Sequence, residues 1–222
     1  MKDDIPQLVK QVREWLENPL ESGIDDALLR SKALLAELQG MLQSNPDSGK
    51  ILGPLLGKVR GWQNRLQDIE PIDWVKVGNG SMAIGHRPSK KLITDIRLQG
   101  GTHIFTLLSE SEGAKSIQKE TLKEDMQWLW FGMSSAAPPR EERMPELLSV
   151  FSAMEEALNN EARIYIHCSA GIHRTGMISY GFLRYLGLPA AEAINKLNEL
   201  RPTTREGVGD DRLEWGERFG SD

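Results

Sequence analysis

One stretch of the chain gathers residue types able to do covalent chemistry: Ile164-Tyr165-Ile166-His167-Cys168-Ser169-Ala170-Gly171-Ile172-His173-Arg174-Thr175-Gly176. It contains the only cysteine among 222 residues. An apolar strand is predicted to end at Cys168, a short loop follows, and an arginine opens an apolar helix. A tight loop at a helix N-terminus turns backbone N–H groups inward, and the helix dipole adds partial positive charge, so Ser169, Ala170, Gly171, Ile172 and His173 are expected to form an anion cradle. At its base the Cys168 thiolate is stabilised. Arg174 supplies a planar fork matched to two phosphate oxygens, and Thr175 can donate a hydroxyl to the sulfur. Gly171 allows the sharp backbone path. A thiolate and a guanidinium around one phosphate-sized hole suit phosphoryl transfer to sulfur, followed by hydrolysis of the cysteinyl-phosphate. That chemistry needs no metal or other cofactor, and no usual metal-ligand spacing is present.

The elements that must position this loop follow from periodicity. Beyond Pro71, strands are expected at 74–77 and 82–84 around an Asn79-Gly80 hairpin signal, at 103–108, at 127–131 and at 163–166. Helices are expected at 92–98, 144–158, 173–186 and 190–200. Strands alternating with helices predict an α/β fold, a mostly parallel central sheet flanked by helices and mixed at the edge where the hairpin sits. Residues 1–70 differ. Apolar stripes at helical spacing over 5–16, 24–42 and a third stretch carrying Leu55, Leu56, Val59, Trp62 and Leu66 predict an N-terminal helical extension, with Pro54 near the start of its last helix. It carries no evident chemistry and is expected to pack against the following domain or a protein partner. The expected domains are therefore 1–70 and 71–222.

Composition narrows the function classes. Hydrophobic residues are 39% and charged residues 27%, as in globular proteins rather than disordered ones. The 27 Lys+Arg against 32 Asp+Glu give a net charge of −5, which argues against DNA binding. No apolar run approaches the roughly 20 residues of a membrane span, and the start MKDDIPQLVK does not read as a signal peptide. A lone cysteine fits a reducing compartment, so the expected location is cytoplasmic.

The run from His167 to Gly176 resembles the signature loop of the cysteine-dependent protein tyrosine phosphatases, including the dual-specificity branch. Gly85-His86-Arg87-Pro88-Ser89, the strand to Leu108, Ser109-Glu110-Ser111-Glu112 and Arg201-Pro202 are similar to compact members of that group. The resemblance spans about residues 72–222 and implies the covered sheet already inferred. It also implies that Cys168 is the nucleophile, that Arg174 clamps the phosphate, and that His167 supports the loop and tunes the thiol. The expected substrates are phosphorylated proteins or small phosphomonoesters.

The pattern breaks at the general acid. Family members place an aspartate shortly before a proline on a mobile loop, whereas Trp130-Phe131-Gly132-Met133-Ser134-Ser135-Ala136-Ala137-Pro138-Pro139 has no carboxylate. Asp125 is predicted at the wrong end of its strand, and Glu141 and Glu142 follow the prolines. Gly207-Val208-Gly209-Asp210-Asp211-Arg212 lies where the family carries water-positioning glutamines, so Asp210 or Asp211 is the candidate acid, or else a helix N-cap. His173 could contact substrate or carry a proton. General acid catalysis is worth about 10²–10⁴ in rate, and its loss matters least for good leaving groups. Alternative readings are therefore an RNA or nucleotide phosphatase or triphosphatase, similar to the branch that lacks the usual acid, and a weakly catalytic phospho-binding module.

Overall fold

The structure, a computed structural model, describes residues 4–220; residues 1–3 and 221–222, at the outer limits of the two expected domains, lie outside it. The chain divides into two compact units, Met1–Pro71 and Ile72–Asp222.

The first unit is three helices: α1 (Asp4–Glu17), α2 (Ile24–Ser44) and α3 (Gly49–Gln67). Their apolar stripes meet in one core, with Leu8 and Val12 of α1 against Leu34 and Leu38 of α2 and Leu52 and Val59 of α3. Pro54 lies inside α3 rather than near its start. It is exposed, so water can serve the Lys50 carbonyl that a proline N cannot reach.

The second unit is built on five strands: β1 (Val75–Val77), β2 (Gly80–Gly85), β3 (His103–Leu108), β4 (Gln127–Met133) and β5 (Arg163–His167). Their order is β1-β2-β5-β3-β4, all parallel except β1, which pairs antiparallel with β2 at the edge. The hairpin turn is displaced one residue from its expected place. Val77 pairs with Gly80, so Gly78 and Asn79 are the central pair. Gly78 alone takes positive φ (58°), the pattern of a type II′ turn with glycine first.

Seven helices complete the described part of this unit: α4 (Lys90–Leu98), α5 (Ala114–Lys123), α6 (Met144–Asn159), α7 (His173–Tyr185), α8 (Ala190–Leu200), α9 (Pro202–Gly207) and α10 (Asp210–Gly216). Side chains alternate across the strands. Ile164 and Ile166 of β5 face a core with Phe151 of α6 and Met177 and Ile178 of α7. Tyr165 faces the other way, toward Leu92, Ile93 and Ile96 of α4 and Ile117 of α5. Burial runs without a break from Arg174 to Arg184, so α7 is enclosed on all sides. That enclosure holds the helix N-terminus rigidly beneath the loop from β5. Among the described residues no helix is long and apolar enough to cross a membrane.

Candidate active site

β5 is the central strand, and its C-terminal end delivers His167 and then Cys168; α7 begins at His173. Between them the loop is shaped by bonds to its carbonyls. The Arg87 N–H donates to Ser169 O at 2.9 Å. Arg201 Nη1 donates to Ala170 O (3.0 Å) and Gly171 O (3.1 Å), and Thr204 Oγ1 donates to Gly171 O (2.6 Å). In a planar trans peptide the N–H points opposite to the C=O. Carbonyls tied outward at 169, 170 and 171 therefore turn the N–H groups of Ala170, Gly171 and Ile172 inward. Gly171 is required here. Its φ is +72°, and a Cβ would lie 2.2 Å from Gly85 O at the end of β2.

The Cys168 sulfur is buried and accepts from the Gly171 N–H at 3.2 Å. Burial pushes the thiol pKa up. The Thr175 hydroxyl and the amides of Thr175, Gly171 and Ile172 pull it down, and the pull prevails, leaving the group below an ordinary thiol. The buried Thr175 Oγ1 has no other hydrogen-bond partner among the described residues, so the sulfur is what that hydroxyl serves.

Arg174 is buried and held from one side. Its Nη1 and Nη2 donate to Glu112 Oε2 (2.7 Å) and Oε1 (2.8 Å), and Nη1 also reaches Met133 O at 2.6 Å. Nη2 donates to Ser169 Oγ at 3.0 Å, a contact that an incoming phosphate oxygen can replace. The Arg174 side-chain bond, partly opposed by burial and aided by the Ser109 N–H and hydroxyl, lowers the Glu112 pKa to about 2. A carboxyl so committed is an anchor for the arginine, not a proton donor. Glu112 follows β3 at the same sheet end as Cys168, where parallel α/β sheets gather their sites. No local pattern in the sequence singles Glu112 out for this role.

His167 is fully buried, and its pKa is lowered to about 4 by burial first, then by Arg87, His86 and Arg174, against a raising bond to Cys168 O. His173 is exposed at the start of α7. Asp125 precedes β4 and so lies at the opposite sheet end from Cys168, as expected. Glu141 is paired with Arg218 (2.6 Å) and Glu142 is exposed.

Asp210 and Asp211 open α10 and are exposed; neither is its N-cap, a place taken by Gly209 with φ 89°. That displaces the capping reading: glycine reaches this backbone conformation without strain, and the two acids fall in the first turn, where the helix dipole favours them. No contact of either with Cys168, Arg174 or the loop amides is present among the described residues. Asp211 pairs with Arg212 (3.1 Å), whose Nε donates to Ala136 O at 2.9 Å. The α10 N-terminus is thus tied to the carboxylate-free loop at 134–139. No group of three or more His, Cys, Asp or Glu side chains able to hold a metal occurs among the described residues.

Residues 92–196 match the model of the tyrosine phosphatase family, a span that includes the whole Cys168–Arg174 loop. The second unit thus carries a match to the tyrosine phosphatase family over most of its length. Solved structures share its fold. Tk-PTP in its active form is 20% identical, with a TM-score of 0.53, covering 64% of this chain and 92% of its own. Kinase associated phosphatase carrying a serine in place of its catalytic cysteine is 16% identical, with a TM-score of 0.56, covering 67% and 93%. PTPMT1 is 19% identical, with a TM-score of 0.51, covering 66% and 92%. At these identities the likeness is one of fold. A comparison with curated protein sequences finds no match. The shared fold accounts for the sheet and the family match for the loop.

Proposed function

We propose that the phosphatase domain hydrolyses phosphomonoesters, phosphotyrosine and also phosphoserine or phosphothreonine in proteins, through a cysteinyl-phosphate at Cys168. One observation carries this reading: a thiol with a lowered pKa at the floor of a cup of inward N–H groups, beside a fixed arginine. The sulfur attacks phosphorus as the bond to the leaving oxygen breaks, and that oxygen takes a proton. Water then attacks the same phosphorus, the P–S bond breaks, and the thiolate returns as inorganic phosphate departs. The amides of residues 169–173 and Arg174 hold the equatorial oxygens, whose charge grows in each transition state. Thr175 steadies the thiolate between turnovers.

The leaving-group proton is assigned to Asp211 or its neighbour Asp210. Arg212 supports this reading, because it holds the Asp211 carboxylate and the 134–139 loop together. Substrates with weakly basic leaving groups, phenolates above all, suit a site with no carboxylate on that loop. A nucleophilic thiol works only while reduced, which agrees with a cytoplasmic setting. Cys168→Ser should abolish hydrolysis of an aryl phosphate while phosphate-analogue binding persists. Rapid quenching with a labelled substrate should trap phosphate on sulfur, and undiminished turnover in that variant would remove the mechanism.

A further inference from the structure

Three strands adjacent in the sheet carry a hydrogen-bonded chain that ends on the nucleophile's own backbone. Trp128 on β4 donates its indole N–H to Thr106 Oγ1 on β3 at 2.9 Å. Thr106 Oγ1 lies 2.9 Å from His167 Nε2 on β5, and His167 Nδ1 lies 3.1 Å from Cys168 O. Thr106 and His167 are direct partners in the β3–β5 register, and both are completely buried. The chain has only one self-consistent polarity. An indole N–H can only donate and a carbonyl can only accept. The Cys168 carbonyl therefore takes its proton from Nδ1, and on a neutral ring Nε2 is then bare and accepts the one proton of Thr106 Oγ1, which itself accepts from Trp128.

We propose that Thr106 and Trp128 are positioning residues that fix His167 as the Nδ1–H tautomer, so that its ring pins the Cys168 carbonyl and aims the Ser169 N–H into the phosphate cradle. The geometry of the 168–169 peptide makes the connection. Its N–H is opposed to its C=O, so a carbonyl held by His167 sends the Ser169 N–H to the other side. This completes the pattern set by Arg87, Arg201 and Thr204, with four successive carbonyls, 168 to 171, tied away from the anion. Without Thr106, a neutral imidazole is free to place its proton on Nε2. Its bare Nδ1 then faces the Cys168 oxygen, acceptor against acceptor, and the peptide is pushed to turn. The strong lowering of the His167 pKa agrees with a ring kept neutral in both settings.

The proposal rests on the phosphatase reading but is tested by a separate readout. With ¹⁵N-labelled histidine, the His167 ring should report a protonated Nδ1 and a bare Nε2 at neutral pH, identified by the signal lost in His167→Asn. Thr106→Val should shift the ring toward the other tautomer or a mixture, and Thr106→Ser should restore the original. Protection of Cys168 from iodoacetate by inorganic phosphate should weaken about tenfold in Thr106→Val and about threefold in Trp128→Phe, and recover in Thr106→Ser. The pH at which alkylation of Cys168 sets in should rise in Thr106→Val. A protonated Nε2 in the unmodified protein overturns the proposal. So does a Thr106→Val protein with lowered thermal stability but unchanged phosphate protection, because that is a purely structural role. Failure of phosphate to protect the unmodified protein sinks the phosphatase reading instead, whatever the tautomer.

Discussion

Replacing Glu112 with glutamine isolates the anchoring of the arginine from its presence. The carboxylate accepts two bonds from Arg174 (2.7 and 2.8 Å) and two from Ser109, through its N–H and its hydroxyl (both 2.9 Å). Glutamine keeps the volume but offers one oxygen, and turns an NH₂ toward a guanidinium that is itself only a donor. A charge-assisted bond contributes about 1.5–3 kcal/mol, and breaking a fully buried pair costs more. The Glu112 side chain is 31% exposed against 10% for Arg174, so solvent screening trims the loss to about 2 kcal/mol. In the proposed mechanism Arg174 acts in the transition state, so kcat/KM for an aryl phosphate should fall about 30-fold. Vanadate inhibition should weaken in step, while the Cys168 alkylation profile moves little. Steady-state kinetics with vanadate titration would check this. A kcat/KM within threefold of the parent with unchanged vanadate affinity would show that Arg174 needs no carboxylate anchor.

Three further outcomes are expected. Gly171→Ala places a Cβ 2.2 Å from Gly85 O at a φ of +72°, so the loop must shift and kcat/KM should fall about 100-fold or more; near-normal kinetics would mean that the loop tolerates the displacement. Alanine at Asp210 or Asp211 should slow alkyl phosphates more than activated aryl phosphates, by about 10²-fold at the acid itself; equal slowing on both substrates assigns that residue a structural role. The acid side of the stability curve should fall in two windows. His167 has a folded pKa of about 4 against 6.5, so the unfolded chain binds the extra proton and stability drops as pH falls from 6.5 toward 4, by about 3 kcal/mol at most. Glu112, at about 2 against 4.5, adds a second loss as pH falls from 4.5 toward 2, and Glu112→Gln should lack it. Thermal melts across this range test both signs, and a Glu112→Gln curve parallel to the parent's below pH 4.5 would contradict the second.

The part of the site written in consecutive residues was readable before the fold. A strand, a loop with Cys168 and Gly171, and a helix opened by Arg174 occur where they were expected, because their signals are local: an apolar run, a glycine, an amphipathic turn. The expected neighbouring strands and helices of the second unit followed for the same reason, with boundaries moving by a residue or two, whereas α5 and α9 were not anticipated. What the chain brings together across the sheet was not readable. Glu112 and Thr106 reach Arg174 and His167 only through the register of β3 beside β5, which no local pattern encodes. Trp128 looked like an ordinary strand residue until its indole N–H had a partner. The Asn79-Gly80 pair signalled a hairpin, yet Gly78 took the strained position and moved the turn by one residue. Pro54 marked a helix start by habit and is instead tolerated on an exposed face. Asp210 and Asp211 lie just inside a helix that Gly209 caps, since glycine meets the positive φ there and a carboxylate was not needed for it.

The central claim is that Cys168 is an activated thiolate inside an anion cradle. Alkylation by iodoacetate, followed as a function of pH with and without vanadate, tests it most directly. A titration midpoint below that of a free thiol, with protection by vanadate that disappears in Arg174→Met, is the predicted result. An inert thiol, or one that reacts only in the ordinary alkaline range and ignores vanadate, would contradict the account.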